Sequence, residues 1–249
     1  MKISIITAVY NRNNTIERAL MSIKKQTYKN IELIIIDGGS KDGTINTIKN
    51  IIDENDIFIS ESDNGIYDAL NKGISLSSGE VIAFLHSDDM YINDAVLLNV
   101  AKCFSDKSID VVYGDISFFY PKNPLKVIRK YKSDCLSRKN LAWGKMPAHP
   151  AIFIKRQIYS EIGLFDSDFN IAADYEFLCR AVTHKSLKTH YLPKVLVKMQ
   201  LGGKSTQGIK NTILLNKEVM MAIKKNGIYT NLFMIMSKYP SKILQFLRK

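Results

Sequence analysis

Two nearly uninterrupted apolar runs, Ile3 to Val9 and Ile31 to Ile36, mark the amino-terminal part of the chain. A strand with one wet face alternates apolar and polar residues, so a continuous run predicts a strand that is buried on both faces. Between the runs, apolar residues recur at helical spacing, at Ile16, Ala19, Leu20 and Ile23. The order strand, helix, strand predicts a βαβ unit and a parallel sheet covered by helices.

The pattern of strands and helices continues along most of the chain. Up to about residue 105 it is regular, with strands at Ile57 to Ser60 and Val81 to Leu85 and a helix from about Thr44 to Glu54. The less regular part that follows has predicted strands at Val111 to Tyr113, Ser117 to Tyr120, Lys126 to Tyr131, Ala151 to Ile154, His190 to Leu192 and Val195 to Gln200. Helices are predicted there at Ala173 to Thr183 and from Gly208 to about Asn226. We therefore predict an α/β fold.

The composition narrows the class of protein. At 249 residues, with 46% apolar and 24% charged residues, the chain fits one large globular α/β domain. Cys103, Cys135 and Cys179 are odd in number and widely spaced, which argues against a disulfide framework and favours the reducing cytosol. The net charge of +11 is compatible with nucleic acid, an anionic membrane surface or phosphate-bearing substrates, and does not choose among them.

Polar clusters follow four of the predicted strands directly. They lie at Asn11 to Asn14, Asp37 to Thr44, Ser62 to Asp68 and His86 to Asp89. In open α/β sheets the ligand crevice lies outside the carboxyl ends of the strands. We therefore expect these four loops to line one cleft.

Two of these loops carry chemistry. Asp88 and Asp89 end a buried strand, and carboxylates in such a place can hold Mg²⁺ or Mn²⁺ against substrate phosphates, although either residue could simply cap the turn. Asp37, followed by two glycines, can accept hydrogen bonds from a base or ribose, whereas Asp42 is expected to cap the next helix. The loop is neither G-x-G-x-x-G nor a P-loop, which weakens the case for hydride transfer and ATP hydrolysis.

Several motifs in order resemble glycosyltransferase family 2, the inverting group with the GT-A fold. They are Thr7-Ala8-Val9-Tyr10-Asn11, Ile36-Asp37-Gly38-Gly39-Ser40, Asp63-Asn64-Gly65-Ile66-Tyr67-Asp68, Ser78-Gly79-Glu80 and His86-Ser87-Asp88-Asp89, with weaker matches up to Ser205. The resemblance implies a GT-A fold over residues 1–205, with a nucleotide-sugar-binding half at 1–105 and an acceptor-binding half at 106–205. Residues 206–249 remain as a basic helical tail.

The resemblance also implies roles for individual residues. Asp174 would be the catalytic base, Asp88 would bind the divalent metal and Asp37 would contact the base of the nucleotide. Contacts to the nucleotide or substrate would come from Thr7, Ala8, Tyr10, Asp68, Lys72, His86, Ser87, Asp89, His149 and Lys204. The family often has an aspartate where this chain has His86. An imidazole can bond a ribose hydroxyl but is a poorer ligand for Mg²⁺, so this departure affects both the ribose contact and the metal preference.

The reaction implied is transfer of a sugar from a nucleotide diphosphate, by resemblance UDP, to a hydroxyl of a glycan or polyprenyl-diphosphate-linked acceptor. In the family such enzymes build bacterial capsule, O-antigen or exopolysaccharide units. The tail carries Lys238, Lys242, Arg248 and Lys249 among apolar residues, so it could either lie on an anionic membrane or pack on the protein. We expect a cytoplasmic enzyme that is either free or peripheral on the inner face of the plasma membrane.

Two other classes of protein share some of these features. A Rossmann-like nucleotidyltransferase or oxidoreductase has the same alternating pattern, but it rests on analogy of fold alone. A non-enzymatic nucleic-acid-binding protein would fit the positive charge, but the basic residues are spread along the chain, and the aspartates of the cleft would repel phosphates. We therefore expect no nucleic-acid partner.

Overall fold

A computed structural model of the protein describes residues 1–133, 136–202, 208–237 and 239. The strands in these ranges form a nine-stranded mixed sheet. They are β1 (Ile3–Val9), β2 (Ile31–Asp37), β3 (Ile57–Ser60), β4 (Val81–Phe84), β5 (Met90–Tyr91), β6 (Val111–Tyr120), β7 (Asn123–Tyr131), β8 (Ile152–Lys155) and β9 (Thr189–Gln200). Their order is β3-β2-β1-β4-β8-β6-β9-β5, with β7 paired to β6. The predicted α/β fold is confirmed, and its central sheet is mixed because β8 is antiparallel to its neighbours.

Helices cover the sheet. They are α1 (Asn13–Lys24), α2 (Thr44–Lys49), α3 (Ile66–Leu76), α4 (Val96–Cys103), α5 (Arg138–Ala142), α6 (Arg156–Ile162), α7 (Ala173–His184), α8 (Gly208–Lys225) and α9 (Leu232–Met236). Successive residues of β1 belong to opposite cores, since Ile5 packs in the cluster on one face of the sheet and Ile6 in the cluster on the other. Both faces of β1 are thus buried, as its uninterrupted apolar sequence predicts.

The parallel strands bring their carboxyl ends to one edge of the sheet. β1 runs parallel to both β2 and β4, and Val9 is paired with Asp37 at the end of the β1–β2 ladder. Beyond β4, strand β8 is antiparallel to both β4 and β6. The loops that follow β1, β2 and β4 therefore emerge side by side, where the crevice of an open sheet lies.

Two long strands replace pairs of predicted short ones. The sequence indicates a break in β6 around Gly114 and a break in β9 around Pro193. The structure carries both strands through these points, with shifts of register where Gly114 and Asp115 face Leu192 and Val195. An irregularity of this kind accommodates proline and glycine without ending the pairing. The prediction of separate strands was wrong for this reason.

Helix α3 corrects the predicted extent of the third crevice loop. That loop was expected to reach Asp68, but the helix begins at Ile66, directly after Gly65 at a φ of 118°. Asp68 and Lys72 therefore lie on a helix rather than in a loop. The same helix approaches β1 closely at Gly73, where a Cβ atom would collide with the side chain of Ile6.

The predicted helix near the carboxyl end is present as α8, whose residues Val219, Ala222 and Ile223 are buried. Helix α9 follows it. Residues 238 and 240–249, which include the four basic residues named for the predicted tail, lie outside the described residues. In the ranges that the structure covers, no helix is both long and apolar enough to cross a membrane.

Candidate active site

A polar cleft of about 270 Å³ lies at the carboxyl edge of the parallel strands. It is lined by Asn11, Arg12, Asn13, Asn14, Thr15, Asp42, Asp88, Gln200 and Gly202. The loops after β1, β2 and β4 contribute to it, together with the end of β9. No residue of the predicted loop at Ser62 to Asp68 is among those that line this cleft. Three of the four expected loops therefore meet here.

Asp88 and Asp89 differ in their surroundings. Asp88 is partly exposed and lines the cleft, and the guanidinium of Arg18 donates to its carbonyl at 3.0 Å. Asp89 is buried, and its Oδ1 accepts from the backbone of Gln200 at 3.1 Å. Burial, with Asp88 alongside, raises the pKa of Asp89 well above that of an ordinary aspartate. The structure thus brings Asp88 to the cleft but not the carboxylate of Asp89. Ser87, which directly precedes Asp88, is buried.

The cleft can hold a divalent metal only in an open site. Among the described residues no group of three or more His, Cys, Asp or Glu side chains is arranged to bind a metal ion. Mg²⁺ is commonly held by one or two carboxylates together with substrate phosphates and water. Asp88 fits that arrangement, provided that diphosphate oxygens complete the coordination.

Asp174 lies in the first turn of α7, where it is held from two sides. The single hydroxyl proton of Tyr67 is shared between Oδ1 of Asp174 at 3.1 Å and the carbonyl of Ile171 at 2.7 Å, and the backbone N–H of Tyr175 donates to the same Oδ1 at 2.9 Å. These hydrogen bonds favour the ionised form, but burial outweighs them and raises the pKa of Asp174. Both bonds fall on Oδ1, and Oδ2 accepts no hydrogen bond from the described residues.

Two histidines lie beside these carboxylates. The His149 ring stacks on Phe84 at 4.8 Å between centroids, and the His86 ring lies 5.5 Å from that of His149. Burial lowers the pKa of both histidines to about 4, so both are neutral at physiological pH. His86 interacts electrostatically with both Asp88 and Asp174, which places it between the cleft and the predicted base. The Nε2 atom of His149 is buried without a partner among the described residues.

The carboxylate of Asp37 is hydrogen-bonded by groups of the protein itself. Asp37 is fully buried, and its carboxylate accepts from the backbone of Gly39 and Ser40 and from the hydroxyls of Ser40 and Ser60. These bonds shape the loop that carries Gly38. The structure does not present this carboxylate to a ligand, so its predicted contact with the base finds no support in the geometry.

Asp63 lies beside Gly38, the glycine that directly follows Asp37. A Cβ atom added to Gly38 would lie 2.6 Å from Oδ2 of Asp63 and 3.3 Å from the exposed ring of Tyr10. The bare backbone of Gly38 therefore lies between a carboxylate and an aromatic face. Asp63 belongs to one of the motifs but was not predicted as a contact residue, because nothing in the local sequence shows that its loop returns to Gly38.

The other predicted contact residues are dispersed. Thr7 and Ala8 are buried within β1, and the hydroxyl of Thr7 has no hydrogen-bond partner in the described part of the chain. Lys72 pairs with Glu61 at 2.9 Å and with Asp68 at 3.5 Å on α3. Lys204 lies outside the described residues.

Glu218 holds the backbone that precedes Asp174, a contact that the sequence does not indicate. It lies on α8, and only 4% of its surface is exposed. Its carboxylate accepts the backbone N–H groups of Asn170, Ile171 and Ala172 at 3.0, 2.8 and 2.9 Å. These residues directly precede α7 and Asp174. No local pattern reveals such a contact, because 46 residues separate Ala172 from Glu218 along the chain.

This arrangement of sheet and crevice is that of GT-A glycosyltransferases. S. aureus TarS 1-349 in complex with UDP-GlcNAc superimposes with a TM-score of 0.68 at 19% identity, over 90% of this chain and 66% of that chain. The mannosyltransferase PcManGT from Pyrobaculum calidifontis, in complex with GDP-Man and Mn²⁺, gives 0.62 at 15% identity, over 98% of this chain and 80% of that one. The chain thus spans just under two thirds of the TarS fragment.

The sequence also matches the profile of one protein family. The profile of glycosyl transferase family 2 covers residues 4–163, and the chain belongs to that family. A PGL/p-HBAD biosynthesis glycosyltransferase of Mycobacterium tuberculosis is 30% identical over 216 residues, which are 85% of this chain and 80% of that protein. The protein is therefore a glycosyltransferase, and both the oxidoreductase and the nucleic-acid-binding alternatives give way to this class.

Proposed function

We propose that the protein is an inverting, metal-dependent glycosyltransferase that moves a sugar from a nucleotide diphosphate to a hydroxyl of a glycan or lipid-linked acceptor. Asp174 acts as the general base. The acceptor oxygen attacks the anomeric carbon while its proton passes to the Asp174 carboxylate. The bond between that carbon and the diphosphate breaks, and the electron pair leaves with the diphosphate. A single displacement inverts the anomeric centre and needs no covalent intermediate.

The environment of Asp174 carries this proposal. Its raised pKa makes it a stronger proton acceptor than an ordinary aspartate, and a general base is most effective when its pKa approaches the working pH. Tyr67 and the backbone of Tyr175 fix Oδ1, so Oδ2 is oriented for the acceptor. Pre-set geometry of this kind lowers the entropic part of the barrier.

The departing diphosphate requires compensation of its charge. Mg²⁺ or Mn²⁺ bound by Asp88 would supply a positive charge there. The neutral imidazoles of His86 and His149 can donate hydrogen bonds to phosphate or ribose oxygens without repelling the metal. PcManGT, with Mn²⁺ beside its GDP-Man, supports a metal of this kind by similarity of fold.

Similarity also guides the choice of donor and acceptor. Structural neighbours bind UDP-GlcNAc or GDP-Man, which supports a nucleotide sugar as donor, and we favour a UDP-sugar. Cell-surface polysaccharide such as capsule or O-antigen is our proposed product. We place the enzyme in the cytoplasm, with its basic tail against the inner face of the plasma membrane.

The base is tested by replacing Asp174 with asparagine. Asp174→Asn keeps the size of the side chain but removes its proton affinity, so transfer should fall by roughly 10²-fold or more while nucleotide binding is retained. Two quantities are measured: sugar transfer to a series of lysate-derived or synthetic acceptors, and nucleotide binding by calorimetry. Turnover close to that of the wild type would remove Asp174 from this role.

The metal and nucleotide are tested by thermal shift. A ligand that binds only the native state raises the melting temperature by mass action. We expect UDP with Mn²⁺ to stabilise the protein more than UDP, GDP, dTDP or CMP alone, and Asp88→Ala to abolish the metal-dependent part. The control variant is Asp106→Ala, whose carboxylate caps an exposed turn at Ser108. A metal-dependent shift that survives in Asp88→Ala would contradict the assignment.

A further inference from the structure

An apolar face bordered by lysines lies on α8 and α9, outside the candidate active site. The two helices enclose a groove of about 460 Å³. It is lined by Thr212, Ile213, Asn216, Lys217, Met220, Leu232, Met236 and Tyr239. Beside it, Tyr229 and Phe233 each expose 77% of their surface, and Leu232 exposes 59%. We call this groove, with Tyr229 and Phe233, the α8–α9 face.

The exposure of these side chains is built into the fold. Ile235 is fully buried and attaches α9 to the core, and the Asn231 side chain caps the helix through the backbone N–H of Met234 at 2.9 Å. With Ile235 turned inward, Leu232 and Phe233 are left at the surface. A contiguous apolar surface on a well-anchored helix is typical of an interaction site.

The charge around this face has one sign. Lys210, Lys217 and Lys224 lie exposed at seven-residue intervals along α8, on the side that also carries the exposed Ile213. The only acidic residue between Gly203 and Lys249 is Glu218. Glu218 is buried and engaged by the backbone ahead of α7. The exposed surface of α8 and α9 is therefore apolar and cationic, without a compensating acid.

This charge distribution selects the partner. A second copy would set lysines against lysines, which costs binding energy. The chain's own residues 240–249 are also basic and contain no acid, so they offer no charge partner for the lysines of this face. An anionic bilayer offers phosphate to the lysines and a hydrocarbon boundary to the aromatic and aliphatic side chains.

We propose that the α8–α9 face docks on an anionic membrane surface. Phe233, Leu232 and Tyr229 enter the headgroup region, while Lys210 and Lys217 contact lipid phosphates. The inference rests on the membrane location that we proposed for the tail and names the surface that docks. It does not depend on the proposed reaction, because membrane binding is measured without sugar transfer. Helix α8 also carries Glu218, so one helix both docks the protein and holds the turn that precedes Asp174.

The test is co-sedimentation of the full chain with phosphatidylcholine vesicles that do or do not contain phosphatidylglycerol. We expect binding only to the anionic vesicles, weakened by salt. The double variant Leu232→Ser, Phe233→Ser should bind roughly tenfold more weakly or worse, because both side chains lose their burial in lipid. The matched control is Tyr120→Ser, which removes an aromatic side chain that is 57% exposed at the end of β6. Its binding should equal that of the wild type.

A second variant tests the charge. Lys210→Glu, Lys217→Glu keeps every apolar side chain and should lose binding to anionic vesicles. Because all of these positions are exposed, each variant should melt at the wild-type temperature, which separates a lost surface from a lost fold. Absence of wild-type binding, or unchanged binding in either double variant, would overturn the proposal. So would a dimer in sedimentation equilibrium that Leu232→Ser, Phe233→Ser dissociates, since the face would then join two copies.

Discussion

The carboxylate of Glu218 accepts the backbone N–H of Ala172 at 2.9 Å, which joins α8 to the residue that caps α7. The same carboxylate accepts the two N–H groups before it. Donors at the amino end of a helix have no partner within the helix, so a buried carboxylate there satisfies them and also interacts favourably with the helix dipole. Tyr67 holds the opposite side of this turn, because its one hydroxyl proton is shared between the carbonyl of Ile171 at 2.7 Å and Oδ1 of Asp174 at 3.1 Å. The predicted base therefore follows a turn that is fixed from two sides.

Glu218→Gln should lower the turnover number more than it affects donor binding. Glutamine keeps one acceptor oxygen but brings an amide donor toward the N–H groups, so at least one of them loses its partner. The expected cost is about 1–3 kcal/mol in the free energy of unfolding. Displacement of Asp174 should reduce turnover by roughly tenfold or more. Steady-state kinetics and thermal unfolding measure the two effects.

The control for this change is Glu161→Gln. Glu161 is exposed and pairs with Lys185 at the surface, where ion pairs contribute little. This variant should match the wild type in both stability and turnover. If Glu218→Gln raises the KM for the donor and leaves turnover unchanged, Glu218 does not position the base.

Tyr67→Phe should shift the pH dependence of transfer. The Tyr67 hydroxyl stabilises the ionised form of Asp174, so its removal raises the pKa of that carboxyl further. A base is active when it is deprotonated, and activity is therefore lost as the pH falls through its pKa. The acidic limb of the rate profile should move to higher pH in the variant.

The matched control is Tyr159→Phe. The hydroxyl of Tyr159 is buried without a hydrogen-bond partner in the described part of the chain, and its ring packs in the same aromatic cluster beside Phe165. Loss of this hydroxyl should leave the acidic limb where it is. Equal shifts in both variants would trace the effect to packing rather than to the hydrogen bond with Asp174.

Much of the fold can be predicted from the sequence. A strand that is buried on both faces requires an unbroken apolar run, and each central strand shows such a run. The crevice follows in turn, since parallel strands must end at one edge. What local patterns could not supply are contacts between distant segments. The strand breaks predicted at Gly114 and Pro193 are absent, because β6 and β9 pair with each other across these positions.

The same limit applies to the site. Motif position singles out Asp88 and Asp174, but burial distinguishes residues that look alike in sequence. Asp88 lines the cleft, whereas its neighbour Asp89 is buried. Asp37 is likewise buried, and Glu218 comes to the site only through the packing of α8 on α7. The roles of these residues remain predictions, and their positions give each one a different experimental signature.

Replacement by alanine should have different effects at Asp37 and at Asp63. Asp37→Ala leaves buried donors without a partner, so it should lower the free energy of unfolding by about 1–3 kcal/mol. Asp63→Ala removes a partly exposed carboxylate beside Gly38, so it should weaken nucleotide binding with little loss of stability. Calorimetric titration and thermal unfolding on both variants give the comparison. If Asp63→Ala binds the nucleotide with full affinity, Asp63 does not contact the base.

His86→Asp should produce two effects with a common electrostatic origin. The new carboxylate lies near Asp88, so it should tighten metal-dependent nucleotide binding by adding a second hard ligand. It also lies near Asp174, and a like charge raises the pKa of a carboxyl group, so the acidic limb of the rate profile should move to higher pH.

The variant His86→Asn is the control for this change, because it removes the imidazole without adding a charge. Since His86 has a pKa of about 4 and is neutral in the working range, its loss alone should move the acidic limb little. The difference between the two variants therefore isolates the added charge. Identical profiles for His86→Asp and His86→Asn would show that position 86 is not electrostatically linked to Asp174, and the catalytic arrangement proposed here would have to be revised.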